Sequence, residues 1–309
     1  LFELLFLGTS ASAPSARRGL SALVVSHNEY RFLIDCGEGT QRQILQSGIG
    51  FKRLTRILLT HGHLDHILGL GGLLSTLLRW ESIDELNIYG GKNTLERVRT
   101  LLYDVVLRGN QPPMPMALNE IKPGIIFDAE DFTVTAFPVT HRGPDCLGYV
   151  FEEKARRPFL SEKADALGVP FGPERRELVE GREITLADGR VVKPDDVLGD
   201  WERGSKLVVI GDTGRTDNLI EVCKDADGLV IESTYLDEEA DMAKQFNHLT
   251  ARMGADLAVK AGVKKLILTH ISRRYREKDV ITEAQSVFPG AVVARDFDTF
   301  NIKRLASSD

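Results

Sequence analysis

The 309-residue chain has no run of about 18 apolar residues, so a membrane-spanning helix is not expected. Cysteine is scarce: Cys36, Cys146 and Cys223 are odd in number, far apart and without a C-x-x-C pair. That argues against a disulfide framework or a thiolate zinc cage, and three buried thiols are the expectation. Positive charge is short as well, with 39 Lys and Arg against 45 Asp and Glu and a formal net charge of −6. Contact with nucleic acid would have to come from a local basic patch, because the overall field repels phosphate. Repeats and low-complexity tracts are missing too. Histidine is the most informative scarcity, because three of the seven fall within six positions, in T-H-G-H-L-D-H at 60–66.

What is present is globular: 42% hydrophobic and 27% charged, enough for one large core or two modest domains. The opening L-F-E-L-L-F-L-G-T-S-A-S-A-P looks superficially like a secretory leader. However, it carries Glu3, lacks basic residues at its start, and its apolar stretch is too short. It reads as a first strand running into a turn, in a cytoplasmic protein.

Apolar runs of strand length recur, bounded by glycine and charge: 4–7, 22–25, 31–34, 56–59, 86–89, 132–137, 147–151, 206–210, 229–231, 266–268 and 291–293. Helical stretches are expected over 40–46, 67–80, 94–106, 250–261 and 280–287. Hairpin-like pairs mixed with strand–helix alternation predict a layered α/β domain. The segment 152–204 breaks the pattern. It shows no apolar period, and charge, proline and glycine dominate it, so a functional protrusion or a disordered stretch is expected. Between Lys154 and Arg176 it holds six basic residues against three acidic ones, a local excess of positive charge on an acidic protein.

The histidine cluster sits between a strand and a helix, in what reads as a loop, where a rigid scaffold commonly presents functional side chains. A lone histidine is ordinarily a satisfied core or surface residue. Three imidazoles and a carboxylate in six residues are different, because such a group is costly to desolvate without a cation. His61 and His63 are spaced to chelate one cation, and Asp65 and His66 point toward a second position. Further ligands should follow strands, and candidates do: His141 in F-P-V-T-H, Asp212 in V-I-G-D-T-G, and His270 in L-I-L-T-H. His248 stands in F-N-H-L-T. His27 reads as a hairpin-turn residue without a role.

T-H-G-H-L-D-H with the later His, Asp and His resembles the metallo-β-lactamase superfamily, whose fold is a four-layer αββα sandwich. D-C-G-E-G-T-Q at 35–41, G-L-G-G-L-L at 69–74, G-D-T at 211–213 and T-H-I-S-R-R-Y at 269–275 are similar to the ribonuclease Z family. The resemblance covers nearly the whole chain. It implies a single domain over 1–309 with an inserted tRNA-binding arm at 152–204, whose Gly172-Pro173 matches the family's elbow-clamping motif. It implies one zinc on His61, His63 and His141, another on Asp65, His66 and His270, and Asp212 bridging, with zinc favoured over manganese or iron. His248 matches the family's general acid and Glu232 the residue that orients it. Two departures occur: Glu232 lies in I-E-S rather than H-E-A-T, and Arg18-Gly19 replaces Arg-Asn, which bears on how the acceptor end is read.

The implied activity is removal of the 3′ trailer from precursor tRNA by a zinc-dependent endoribonuclease, usually a homodimer. Metal-generated hydroxide attacks phosphorus, with Asp65 as ligand, base or both, leaving a 3′-OH on the tRNA and a 5′-phosphate on the trailer. Arg175 and Arg176 of the arm, and Ser272 and Arg274 beside His270, are candidate RNA contacts. Two alternatives stay open. One is a phosphodiesterase of the same fold acting on small or cyclic diesters, which would have no use for a basic arm. The other is a non-catalytic RNA-binding scaffold, which a complete ligand set argues against.

Overall fold

The computed structural model describes residues 1–79, 83–112 and 114–304. Its strands are β1 (Phe2–Gly8), β2 (Ala22–His27), β3 (Tyr30–Ile34), β4 (Arg56–Leu58), β5 (Leu86–Gly90), β6 (Met116–Glu120), β7 (Gly124–Asp128), β8 (Phe132–Pro138), β9 (Leu147–Glu153), β10 (Ile184–Thr185), β11 (Val191–Val192), β12 (Lys206–Val209), β13 (Gly228–Glu232), β14 (Leu266–Thr269), β15 (Val292–Val293) and β16 (Thr299–Ile302). Two seven-stranded sheets result, ordered β16-β1-β2-β3-β4-β5-β6 and β15-β14-β13-β12-β9-β8-β7. Both are mixed. In the first, β1 to β3 pair antiparallel and β3 to β6 parallel; in the second, β12 to β15 pair parallel and β9 joins β12 antiparallel.

Side-chain alternation explains the layering. Phe2, Leu4 and Phe6 of β1 pack with Phe132, Val134, Tyr149, Phe151, Leu207 and Val209, forming an apolar layer between the sheets. Leu7, Val24, Leu33 and Ile57 point the other way, toward Ile44, Leu73, Leu74, Leu95 and Val98 of helices Thr40–Ser47, Gly69–Leu77 and Lys92–Arg99. On the second sheet Val208, Ile231 and Leu268 meet Ala255, Leu257, Ala258, Val280 and Ala284 of helices Ala251–Lys260 and Glu277–Gln285. Neighbours Leu207 and Val208 therefore serve different layers, and a strand covered on both faces is apolar at every position. The layer order is helix, sheet, sheet, helix.

Several details differ from the expectations. The helix expected over 67–80 begins earlier and is interrupted, giving Leu64–Ile67 and Gly69–Leu77; Trp80 lies outside the described residues. The interruption has a cause: Gly69 N donates to Cys36 O instead of continuing the helical ladder. The stretch expected over 94–106 is α-helical over Lys92–Arg99 and π-helical over Thr100–Val106. Strands β6, β7 and β16 went unread because they lie toward the sheet margins and mix polar with half-buried positions.

Residues 153–204 form a second compact unit. They were expected to lack core-forming residues, and that is corrected. Ala164, Val169, Leu178, Val192 and Val197 are buried together, flanked by Phe159, Leu167, Ile184 and Leu186. Most of these residues are dispersed over helices Ser161–Leu167, Pro173–Val179 and Pro194–Val197 and the β10–β11 pair, with Phe159, Val169 and Leu186 in the segments between. Elements of seven residues or fewer are too short to display a period.

Candidate metal centre

The chemistry collects where strands end. His61 and His63 follow β4, His141 follows β8, Asp212 follows β12, Glu232 closes β13 and His270 follows β14. Asp65 and His66 were expected in a loop; they occupy the first turn of helix Leu64–Ile67 instead. His270 has φ 56 and Asp35, just past β3, has φ 57. Left-handed backbone at a residue other than glycine is costly and tends to persist at functional sites.

Four imidazoles are fixed through Nδ1. His66 Nδ1–H donates to Asp35 Oδ2 at 2.7 Å, His61 to Thr60 Oγ1 at 2.9 Å, His141 to the Asn247 carbonyl at 2.7 Å, and His270 to Thr234 Oγ1 at 2.9 Å. Thr60 in turn donates its N–H and its hydroxyl to Asp35, each at 2.8 Å, while Thr234 Oγ1 donates to Glu232. Each anchor sets the tautomer and aims the Nε2 lone pair inward.

The inward atoms form two groups around one carboxylate. Asp212 Oδ2 lies 3.5 Å from His61 Nε2 and 3.6 Å from His141 Nε2, which is itself 3.4 Å from His63 Nδ1. Asp212 Oδ1 lies 3.4 Å from His66 Nε2 and 3.3 Å from His270 Nε2, with Asp65 Oδ2 3.7 and 3.5 Å from the same two nitrogens. Ligands about 2.0–2.1 Å from a tetrahedral ion stand roughly 3.3–3.4 Å apart, so these separations suit cations better than hydrogen bonds. Buried atoms without a hydrogen-bond partner point the same way: His61 Nε2, His66 Nε2, His270 Nε2 and Asp212 Oδ1. Unsatisfied buried groups are expensive, and four converging on two points fit metal ligands. The cluster could hold metal.

Protonation agrees. Burial first, and then the neighbouring imidazoles, hold His61 well below its ordinary value and lower His63 to about 4, leaving both neutral. Burial opposes charge on Asp65 and Asp212, yet the facing histidines keep both carboxyls well below the usual range.

His248 can also be grouped with Asp212 and His270, but its Nδ1 is 3.9 Å from Asp212 Oδ2 and 2.9 Å from Glu232 Oε1. Its partner is the glutamate. Glu232 is fully buried and also accepts from Thr213 N at 2.8 Å. Burial disfavours the His248 cation, but the Glu232 carboxylate outweighs it and raises the imidazole to about 9. His248, His63, Asp65 and Asp212 line a cleft of about 320 Å³ together with Ser12, Leu64, Arg97 and Arg142.

The remaining sequence candidates lie outside those side-chain groups. Arg274 pairs with Glu239 at 2.9 Å, and Ser272 Oγ accepts from the Arg274 backbone N–H. Within the second unit, Gly172 (φ 135) precedes Pro173 at the start of a helix. There Arg175 bonds Asp165 and stacks 3.7 Å from the exposed Phe171 ring, while Arg176 pairs with Glu180. Arg18 is engaged by Thr9, Ala294 O and Glu277. His27 is no turn residue: it ends β2 buried, between the Phe2 and Phe132 rings, 2.8 Å from Asp131. The three thiols are free and buried. Asp35, Thr234 and the Asn247 carbonyl were missed. Asp35 could have been found, since it follows β3 as the other acids and histidines follow theirs; a backbone carbonyl leaves no such signal.

A model of the β-lactamase superfamily domain matches residues 30–202. The chain is 49% identical to ribonuclease Z of Bradyrhizobium diazoefficiens over 298 residues, covering 96% of this chain and 99% of that one. It is 40% identical to ribonuclease Z of Gemmatimonas aurantiaca over 295 residues, covering 94% and 93%. Among solved structures, the short form of human tRNase Z superposes with a TM-score of 0.67 at 27% identity, covering 97% of this chain and 99% of that one.

Proposed function

The chain belongs to the ribonuclease Z family of the β-lactamase superfamily, and from that premise we propose that it removes the 3′ trailer of precursor tRNA as a zinc-dependent endoribonuclease. The observation that carries the proposal is Asp212, whose two oxygens face two separate histidine groups with orphaned nitrogens. His61, His63 and His141 would hold one zinc, Asp65, His66 and His270 a second, and Asp212 would bridge them. Zinc bound there would supply Lewis acidity, lowering the pKa of water toward neutrality and offsetting charge on the phosphoryl oxygens.

The chain's own groups do the rest. Asp35, Thr60, Thr234 and the Asn247 carbonyl hold the imidazole tautomers. Asp65, kept ionised and accepting from Ser12 N at 2.9 Å, is placed to orient a water at the cleft. His248, kept protonated by Glu232, donates to the departing 3′ oxygen, so the tRNA ends in a 3′-OH and the trailer keeps the phosphate. Residues 153–204, with Gly172-Pro173 and the arginines beside it, form the tRNA-binding arm in this proposal. The proposal extends to a cytoplasmic homodimer, which light scattering of the purified protein would test.

The deciding experiment maps cleavage of 3′-extended precursor tRNA, with an arm deletion (residues 154–203) and a small chromogenic diester alongside. One cut near the discriminator base, lost on deletion while the diester is still hydrolysed, supports site and arm together. An intact, zinc-loaded protein that turns over the diester but leaves the precursor uncut would be a small-diester phosphodiesterase instead.

A further inference from the structure

We propose that Arg97 and Arg142 form a cationic rim on the His63–His141 side of the cleft that grips RNA phosphates adjoining the scissile one. Both line the cleft with His63, Asp65, Asp212 and His248. They reach it from different elements: Arg97 from the last turn of helix Lys92–Arg99, Arg142 from the loop directly after His141. Both are exposed. What sets them apart is their lack of neutralisation. Arg18, Arg215 and Arg274, also close in sequence to the strand-end loops, are paired with Glu277, Asp217 and Glu239. Among the described residues neither Arg97 nor Arg142 meets a carboxylate.

Their existing contacts position them without using them up. Arg97 Nη1 donates to the Gly62 carbonyl at 2.5 Å, which leaves four of its five N–H donors. Arg142 Cζ lies over the Phe246 ring at 5.5 Å, and among the described residues its guanidinium makes no hydrogen bond. Two fork-shaped, permanently charged donors at the mouth of a cleft suit phosphate oxygens. The cation-binding cluster would serve the scissile phosphate, so a pair of arginines at the rim has a task only where the substrate is longer than a single diester. The inference rests on the proposed function in taking RNA as that substrate, and it adds residues that select a polynucleotide.

The experiment compares Arg142→Ala, Arg97→Ala and the Lys variants with wild type. It reads kcat/KM on precursor tRNA across a salt series, hydrolysis of bis(4-nitrophenyl) phosphate, and zinc content. We expect each Ala variant to lose about tenfold on the precursor, with the diester rate of Arg142→Ala within about twofold of wild type. The log–log salt slope should become shallower by about 0.7–0.9 per arginine, with partial recovery in the Lys variants. Arg97 also braces the loop between His61 and His63; should its variant lose zinc, Arg142→Ala alone decides. Wild-type precursor kinetics and salt slope in Arg142→Ala overturn the inference, as does an equal loss on both substrates with zinc retained. If wild-type protein leaves the precursor uncut, the proposed function fails by itself. Anisotropy of a labelled single-stranded RNA with zinc-loaded Arg142→Ala then tests the rim directly: weaker binding with a shallower slope supports it, and unchanged binding refutes it.

Discussion

Replacing Asp35 by Asn should cut metal affinity while leaving the protein folded, although Asp35 is not in any of the groups that could hold a cation. Asn is close in shape and tolerates the left-handed backbone that Asp35 adopts at φ 57. What changes is the acceptor set. Asp35 now accepts from His66 Nδ1, Thr60 N and Thr60 Oγ1, with both oxygens in use. An amide has one oxygen and one NH2. If its oxygen keeps Thr60 N, the NH2 faces His66 Nδ1, which must then become an acceptor; the proton moves to Nε2 and removes the lone pair a cation needs. If the amide flips, a buried backbone N–H loses its partner at a cost of about 1–3 kcal/mol. Either way the variant is penalised. Partners of this kind are typically worth 10–100-fold in metal affinity, or about 1.4–2.8 kcal/mol. Competition against a chromophoric zinc chelator reads the affinity, and circular dichroism checks the fold. Because a flipped amide spares the affinity only at that cost in stability, wild-type zinc affinity together with an undiminished urea-unfolding free energy in Asp35→Asn would refute the reasoning that tautomer control sits at this carboxylate.

His248→Ala should bind zinc as wild type does and lose about 10²–10⁴ of turnover on precursor tRNA, checked by metal analysis and single-turnover cleavage. In the metal-free protein the His248–Glu232 pair contributes to stability at low pH. The imidazole is raised from 6.5 to about 9, so roughly 3 kcal/mol is fully present below pH 6.5 and disappears as pH rises through 9. The gap in urea-unfolding free energy between wild type and His248→Gln should therefore close between pH 6 and pH 10. Burial pushes the Cys36 and Cys223 thiols up to about 12 and Cys146 to about 11, so Ellman's reagent should find no reactive thiol in the folded protein and three in denaturant. Gly69→Ala places Cβ 2.0 Å from Gly37 O, a backbone atom that cannot swing away. A loss of about 3 kcal/mol in urea unfolding is expected, with failure to fold as the extreme.

The strands that carry the site were legible because both their faces are covered. Val208 and Leu207 go to different apolar layers, so their segment reads as a continuous hydrophobic run whichever face is considered. Once those runs were placed, the residues just beyond their ends stood out as candidate ligands without any contact information. His141, Asp212 and His270 all follow this rule. The small core of residues 153–204 was hidden for the opposite reason. Val169, Leu178, Val192 and Val197 meet only through turns between very short elements, and one-dimensional periodicity does not register such a meeting. Arg97 and Arg142 carry no sequence signal, because each stands outside any motif. Their distinction is the absence of a carboxylate neighbour, which is a property of space and not of spacing.

The outer acids acquire a further role when charge is considered for the whole centre. Asp35, Asp65, Asp212 and Glu232 supply four carboxylates in or directly against the cluster, three of them almost wholly buried. Without cations, burial and the facing carboxylates together leave His66 well above its ordinary value, through Asp212 and Asp35, and His248 at about 9 through Glu232. Those protons offset part of a negative charge that would otherwise be expensive to bury. Two divalent cations would balance the four carboxylates in full, making a proton on His66 redundant and leaving the one on His248 as net positive charge. A phosphodiester brings a single negative charge, so as long as the water in the centre keeps both protons the loaded centre would match its substrate when His248 is protonated, the state the proposed acid requires. On this view Glu232 does more than orient an imidazole. It sets the charge at which the cleft accepts a phosphate, and Glu232→Gln should weaken the binding of inorganic phosphate to the zinc-loaded protein as well as turnover. Phosphate titration followed by calorimetry would test that, and wild-type phosphate affinity in the variant would confine Glu232 to orientation alone.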